Sequence, residues 1–270
     1  MWVVKVGGHE TVNLEAVLDD LAAWAHEGQR WILVHGISAQ ADALGHALGH
    51  PPRHVISVSG RTSRYTDART IEILMMAYGA FNARIVAGLR RRGVDAIGLR
   101  GIDGGVVQAR RKGVLKIREN GRVLILRGDH SGKIERLRTG LLHLLIQQGL
   151  YPVIVPLGIT PDGTVVNIDG DRVAALLAVA MRASGLILLT GAPGLLRNYP
   201  DESTRVAVLS VDALEQAMAW AQGRMRTKLE AAGEALRGGV GCVVLADGRI
   251  ERPVYRALAG EGTRIVARSA

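Results

Sequence analysis

Short apolar runs that end in glycine turns recur along the chain. They are separated by longer stretches in which apolar residues return every three or four positions. Val3–Val6 runs into Gly7-Gly8, and Trp31–Val34 runs into His35-Gly36; both predict buried parallel strands feeding tight turns. Between them Leu14, Val17, Leu18, Leu21 and Trp24 stand at helical spacing over 14–27, and Gly28 suits a C-terminal cap, so the segment reads as a β–α–β unit. A helix over about 70–92, stopped by Gly93, and a strand near 95–99 continue the alternation. In 106–127 the pattern changes: Val114–Ile117 and Arg122–Leu126 flank Glu119-Asn120-Gly121, a hairpin signal because Asn-Gly accepts the positive φ of a tight turn. The pattern then predicts a helix over 134–148, a strand over 151–156, a second hairpin through Pro161-Asp162-Gly163, a helix over 171–183 and a strand over 186–190. Helices around 211–219 and 223–236 and strands at 241–245 and 263–266 complete the chain.

Strands alternating with helices throughout predict an α/β fold, a three-layer α/β/α sandwich whose mostly parallel central sheet is covered on both faces, with a protruding β-hairpin in its N-terminal part. No linker interrupts the pattern. Two lobes sharing one sheet are expected, residues 1–158 and 159–270, with a soft boundary near Leu157–Pro161.

Composition narrows the class. The 270 residues are 48% apolar and 22% charged with no low-complexity tract, which excludes a disordered or fibrous chain. The N-terminus has no basic segment followed by a long apolar run and a small-residue cleavage site, so a soluble cytoplasmic protein without membrane attachment is expected. The lone Cys242 sits in an apolar run and reads as core packing. Charge changes the picture more. Between Arg110 and Arg136 nine Lys or Arg face three acids, a local excess of +6 within a formal net charge of +9. Such a patch attracts polyanions or acidic proteins; nucleic acid, an acidic protein partner and a plain solubilising surface are the three readings of it.

Candidate chemistry gathers at the turns. In Lys5-Val6-Gly7-Gly8 a cation closes a strand just before two residues without side chains, which lets backbone and ammonium approach a phosphate, although a strand followed by a tight turn would look the same. His35-Gly36-Ile37-Ser38 opens the next helix at the same sheet edge, so the two turns together make an anion cradle. Neither a Walker A sequence nor a Gly-x-Gly-x-x-Gly after a strand is present. In Asn167-Ile168-Asp169-Gly170-Asp171 either carboxylate could cap the following helix, or one could hold lysines in place. Lys228 stands near the start of a helix, where a cation works against the dipole, a hint that it serves something anionic.

Together, Lys5–Gly8, His35–Ser38, Ser63-Arg64-Tyr65-Thr66-Asp67, Asn167–Asp171, Thr190–Leu195 and Gly223–Lys228 resemble the amino acid kinase superfamily, in its order and spacing, over nearly the whole chain. Within it the chain is similar to the acetylglutamate kinase branch, most closely to kinases acting on 2-aminoadipate or glutamate tethered to an acidic amino-group carrier protein. The residues that carry this are Asn167–Asp171, Gly49-His50-Pro51-Pro52-Arg53 and Leu126-Arg127-Gly128-Asp129.

The resemblance implies that Lys5 and Lys228 stabilise the moving phosphate and that Asp171 organises both. It implies that Gly7 and Gly8 approach the ATP phosphates, while Thr190, Gly191, Leu195 and Met225 line the nucleotide pocket. His35, Gly36, Ile37 and Ser38 would surround the acceptor carboxylate with backbone N–H groups, Arg64 would grip a substrate carboxylate, and Asn167 would hydrogen-bond the substrate's amide portion. ATP with magnesium on its phosphates, and a homodimer, follow from the same resemblance. Isoleucine at position 37, where the family usually has glycine, is expected to push a side chain into the phosphate-facing turn. A free acetylated amino acid needs no +6 protrusion, whereas an acidic carrier protein would use one. Arg110, Arg111, Lys112, Lys116 and Arg118 are therefore the expected docking residues. Acetylglutamate kinase acting on the free metabolite, and a nucleotide- or nucleic-acid-binding regulator, stand as the alternatives.

Overall fold

The apolar runs become strands, and their alternation sorts the helices into layers. The computed structural model describes residues 1–58, 60, 62–119 and 121–267. In chain order the elements begin with β1 (Trp2–Val6), α1 (Leu14–His26), β2 (Trp31–His35), α2 (Ser38–Ala47), β3 (His54–Ile56), β4 (Thr62–Arg64), α3 (Ala68–Arg91) and β5 (Ala96–Arg100). They continue with β6 (Val107–Glu119), β7 (Arg122–Leu137), α4 (Gly140–Gln147), β8 (Tyr151–Val155), β9 (Leu157–Ile159), β10 (Val165–Asn167) and α5 (Gly170–Ala180). The last are β11 (Gly185–Thr190), β12 (Val208–Ser210), α6 (Leu214–Ala217), α7 (Arg224–Arg237), β13 (Cys242–Asp247), α8 (Pro253–Leu258) and β14 (Thr263–Val266).

Eight strands form one sheet in the order β12-β14-β13-β11-β1-β2-β8-β5. All its pairs are parallel except β13 with β14. Successive side chains of a strand point to opposite faces, so Val3, Ile32, Val34, Leu186 and Leu188 pack with α5 and α7. Val4, Val6, Leu33, Ile187 and Leu189 pack with α1, α3 and α8. This is the expected three-layer sandwich. The 24-residue α3 is long and apolar enough by composition to cross a membrane; here it buries Ile71, Leu74, Tyr78, Ile85 and Leu89 within the protein.

The hairpin is longer than its sequence signal. β6 and β7 pair from Glu119↔Arg122 down to Val107↔Leu137, with register irregularities near Gly113, and close a small barrel with β9 and β10. Positive φ at Gly113 and Gly128 lets the two strands bend and run on. The helix expected over 134–148 is therefore cut to Gly140–Gln147, because Ile134 and Leu137 serve as strand residues opposite Ala109 and Val107. Asn120 at the hairpin turn lies outside the described residues; its neighbour Gly121 has a φ of 74°.

Three short features were not expected from the sequence: the β3–β4 pair, β12 and α8. The β3–β4 pair has three residues a side, too few for a period to register. Helix α8 is capped from a distance: the Asp20 carboxylate on α1 accepts the N–H groups of Val254 at 2.8 Å and Tyr255 at 3.2 Å.

Candidate active site

Lys5 alternates with Val4 and Val6 and therefore points to the α5/α7 side of the sheet, level with Val34 and Leu188 on the flanking strands. Asp169 is the residue that caps α5, accepting the Arg172 N–H at 3.0 Å. Asp171 is thus released from capping and sits in the first turn facing β1. α7 packs on α5 and brings in Lys228. The Lys5 Nζ lies 2.7 Å from Asp171 Oδ1, and the Lys228 Nζ donates to both Asp171 oxygens at 3.0 and 2.9 Å. Lys5, Asp171 and Lys228 are 7, 5 and 6% exposed, yet all three line one cleft of about 1400 Å³.

Burial alone would push the Asp171 carboxyl up, but the Lys228 and Lys5 ammonium groups outweigh it and hold the carboxyl well below the usual range. For Lys228 burial wins: against the pull of Asp171, and reinforced by Lys5, it brings the ammonium down to about 8. Burial and the Asp171 charge raise Asp169. Two cations around one carboxylate leave a net positive centre at the cleft floor, suited to a polyanion.

The two glycine turns meet above that centre. A Cβ on Gly8 would lie 2.3 Å from the Ile37 nitrogen and 2.4 Å from that of Ser38, and one on Gly36 would lie 2.8 Å from the Gly8 nitrogen. Only glycine allows this approach. The contact is tied by Ala39 N–H to Gly8 O at 2.9 Å and by the Ser38 hydroxyl to the same oxygen at 3.1 Å. Among the described residues the Gly8, Ile37 and Ser38 amides have no hydrogen-bond partner, so three donors cluster at a helix start, as a phosphate or carboxylate site requires.

Ile37 does not intrude into this turn. Its φ is −146°, open to any residue, and its side chain is 2% exposed among Ala41, Leu74, Ala77 and Tyr78. Apolar packing draws it away from the polar turn. Ile37 still contributes to the cleft lining beside Leu74 and Tyr78, whereas His35 does not. Fully buried, it accepts from the Asn82 amide at 3.0 Å through Nε2 and packs against Tyr78 and Phe81. Burial, partly offset by the Gly36 carbonyl, pulls it down to about 4, so it is neutral at physiological pH.

The remaining expected residues, Gly7, Gly36, Ser38, Arg64, Asn167, Thr190, Gly191, Leu195 and Met225, all line the cleft. Arg64 is held by Asp42 at 2.5 Å, and the two residues after it are stitched to β7. The Tyr65 hydroxyl donates to Arg127 O at 2.6 Å, His130 N–H to Thr66 O at 2.6 Å, and Thr66 N–H to the fully buried Asp129 carboxylate at 3.2 Å. Asp129 also accepts the hydroxyl of Ser131, the register partner of Asn167.

The expected docking residues divide. Arg110 pairs with Glu135 at 3.3 Å, Arg111 donates to the carbonyls of Asp129 and Gly128 at 2.8 and 2.9 Å, and Lys112 lines the cleft. Lys116 and Arg118 are exposed on the outer half of the hairpin. Sequence reasoning missed Arg224, whose guanidinium reaches Ser38 Oγ at 3.2 Å across the cleft, and Tyr199, Trp220 and Lys133, which line it. Arg224 stands inside the Gly223–Lys228 motif but was given no role there; Tyr199, Trp220 and Lys133 stand in no recognisable spacing, and only the fold brings them in.

Comparison with known proteins places the chain among its relatives. The chain is 47% identical over 264 residues to [LysW]-aminoadipate kinase of Deinococcus radiodurans, covering 97% of this chain and 90% of that protein. It is 47% identical over 266 residues to the Thermus thermophilus protein of the same name, covering 97% and 99%. Among solved structures, N-acetylglutamate synthase of Neisseria gonorrhoeae with coenzyme A and N-acetyl-glutamate superposes with a TM-score of 0.82 at 26% identity; it covers all of this chain, which spans 60% of that one. The profile of the amino acid kinase family matches residues 1–247, and with relatives at 47% identity over nearly its full length the chain belongs to the amino acid kinase family.

Proposed function

We propose that this chain transfers the terminal phosphate of ATP to the side-chain carboxylate of 2-aminoadipate carried on the acidic amino-group carrier LysW, giving an acyl phosphate in lysine biosynthesis. The observation that carries the reading is the buried Lys5–Asp171–Lys228 cluster beneath three unpartnered amides. The names of the relatives at 47% identity support its substrate. The acceptor carboxylate is ionised at neutral pH and needs no general base. What the reaction requires is alignment of two anions and neutralisation of charge as the phosphoryl group moves.

Gly7 and Gly8 would hold the ATP phosphates, with magnesium entering on them, and Thr190, Gly191, Leu195 and Met225 would line the rest of the nucleotide site. The Ile37 and Ser38 amides would face the acceptor, with Arg64 and Asn167 on the rest of the substrate. Asp171 keeps two ammonium groups, otherwise mutually repelling, pointed at the transfer path. In this reading residues 1–158 form the substrate lobe and 159–270 the nucleotide lobe, and a cytoplasmic homodimer is the working form. The test is phosphorylation by the purified protein with ATP and magnesium, comparing LysW-linked aminoadipate, LysW-linked glutamate and free N-acetylglutamate. Turnover of the first is expected; turnover of free N-acetylglutamate alone would refute the tethered substrate.

A further inference from the structure

Leu74 and Tyr78 stand four residues apart on one face of α3, and both line the cleft. The Tyr78 ring is held from several sides. It packs with Ile37, Leu74 and Ala77 in one apolar cluster and against His35 at 5.9 Å between ring centroids. His35 is itself fixed by Asn82, one turn further along α3. Tyr78 is only 5% exposed, yet among the described residues its hydroxyl has no hydrogen-bond partner. The oxygen is not sealed in the core, since it opens on the cleft. The charges of Asp169, Arg64 and Arg224 all bear on this phenol, which sets it at the acceptor end, beside the Ile37–Ser38 turn. Burial and the Asp169 charge push it well above the ordinary tyrosine range against the pull of the two guanidinium groups, so it keeps its proton and can donate at any working pH. A buried hydroxyl without a partner weakens a fold, and phenylalanine would fill the same space without that penalty. Packing accounts for the ring and leaves the oxygen unexplained.

We propose that Tyr78 is a substrate-binding residue whose hydroxyl donates to the α-carboxylate of the acceptor, sharing that group with Arg64. The inference rests on the carboxylate acceptor of the preceding section and adds a residue to its site. Arg64 meets the substrate with part of its charge already offset by Asp42. A neutral donor beside it adds a directed bond to an ionised oxygen, which is stronger than a bond between neutral groups. The ring is fixed by His35, Ile37 and Leu74 before any substrate arrives, so little freedom is lost on binding. Ile37, packed on the same ring, carries one of the amides assigned to the side-chain carboxylate. α3 thus braces both ends of the acceptor, and core packing sets the distance between them. A bound water is the competing partner for the hydroxyl, and it predicts no effect of the oxygen on the acceptor.

The experiment compares the wild-type chain with Tyr78→Phe, which removes one oxygen and keeps the ring. Thermal scans read the melting temperature, calorimetry reads binding of magnesium-ATP and of the acceptor, and kinetics are run on LysW-linked aminoadipate and on free N-acetylglutamate. The variant is expected to melt at the same temperature or higher, to bind ATP as before, and to raise both Kd and KM for the acceptor about tenfold, the loss of one hydrogen bond to a charged group. LysW-linked 5-aminopentanoate, the same acceptor without its α-carboxylate, should bind equally to both proteins. Unaltered acceptor affinity overturns the proposal and leaves the hydroxyl to water. An equal loss on the 5-aminopentanoate compound also overturns it, as does a variant that melts lower and binds ATP and acceptor equally less well, which would make the hydroxyl a structural group. Turnover reports separately on the substrate. A wild type that phosphorylates only free N-acetylglutamate, with its KM raised in the variant, keeps the role of Tyr78 and removes the carrier-linked acceptor; a wild type that phosphorylates LysW-linked aminoadipate, with the same KM in the variant, does the reverse.

Discussion

At the scale of single residues, the decisive contacts are the two ammonium groups on Asp171. Lys5 meets the phosphoryl group in the proposed reaction, so Lys5→Ala should lower kcat by about 10²–10³ with little change in KM for ATP, as expected for charge developed in the transition state. A loss of equal size in both would mean that Lys5 only binds nucleotide. Asp171→Asn should act on the fold instead. It leaves two buried cations facing each other, and removing one partner of a buried ion pair costs about 3–5 kcal/mol; chemical denaturation reads this directly. The depressed Lys228 ammonium predicts a pH effect of definite sign. Protonated below about 8 and neutral above it in the ligand-free chain, it should give kcat/KM for ATP an alkaline limb near that value. The kcat profile should extend further into base, because bound phosphates favour the charged form. The same depression means that the unfolded chain binds more protons than the folded one between about 8 and the ordinary lysine range, so the Lys228 contribution to stability rises with pH there.

At the scale of elements, the site is a meeting of turns, and glycine decides it. Gly8→Ala would drive a methyl group to 2.3 Å from the Ile37 nitrogen. It should abolish measurable phosphoryl transfer and lower the melting temperature, both readable on one preparation by thermal scan and assay. Much of this element-level picture was legible in the chain. Strand runs such as Val3–Val6 and Trp31–Val34 announce themselves by composition, and the turns that end them place Lys5 and Gly8. What stayed hidden depends on partners distant in sequence. α8 starts where Asp20 supplies its cap, and Ile134 belongs to a strand only because Ala109 lies opposite. His35 turns inward because Asn82 waits for it. Ile37, alarming beside a phosphate turn in one dimension, is drawn into an apolar cluster in three. Asp129 is a further case: the sequence counts it only as one of three acids in a basic stretch, yet it is buried and ties the Arg64 segment and Ser131 together. Asp129→Asn should raise KM for the acceptor while leaving KM for ATP in place, because it loosens one wall of the cleft only.

At the scale of the whole molecule, charge and architecture are separated. The sheet and its two helical layers carry the apolar core, and the hairpin that leaves them carries most of the positive excess, +6 of +9 between Arg110 and Arg136. Two kinds of electrostatics result. The Lys5–Asp171–Lys228 centre is shielded from solvent and is little affected by salt, whereas the hairpin cations, exposed and beyond the cleft floor, are screened over about 8–10 Å at physiological ionic strength. A substrate that touches only the cleft should therefore behave differently from one that also rests on the hairpin. Raising salt from about 50 to 500 mM, across the range where exposed pairs are screened, should increase KM for carrier-linked aminoadipate severalfold and leave kcat unchanged. KM for free N-acetyl-2-aminoadipate should move far less, because in the proposed reading its α-carboxylate meets Arg64, already paired with Asp42, and its side-chain carboxylate meets the Ile37 and Ser38 amides, all inside the cleft and away from the exposed hairpin cations. Parallel salt curves for the two substrates would place the carrier's contribution inside the cleft and leave the basic hairpin without a part in catalysis.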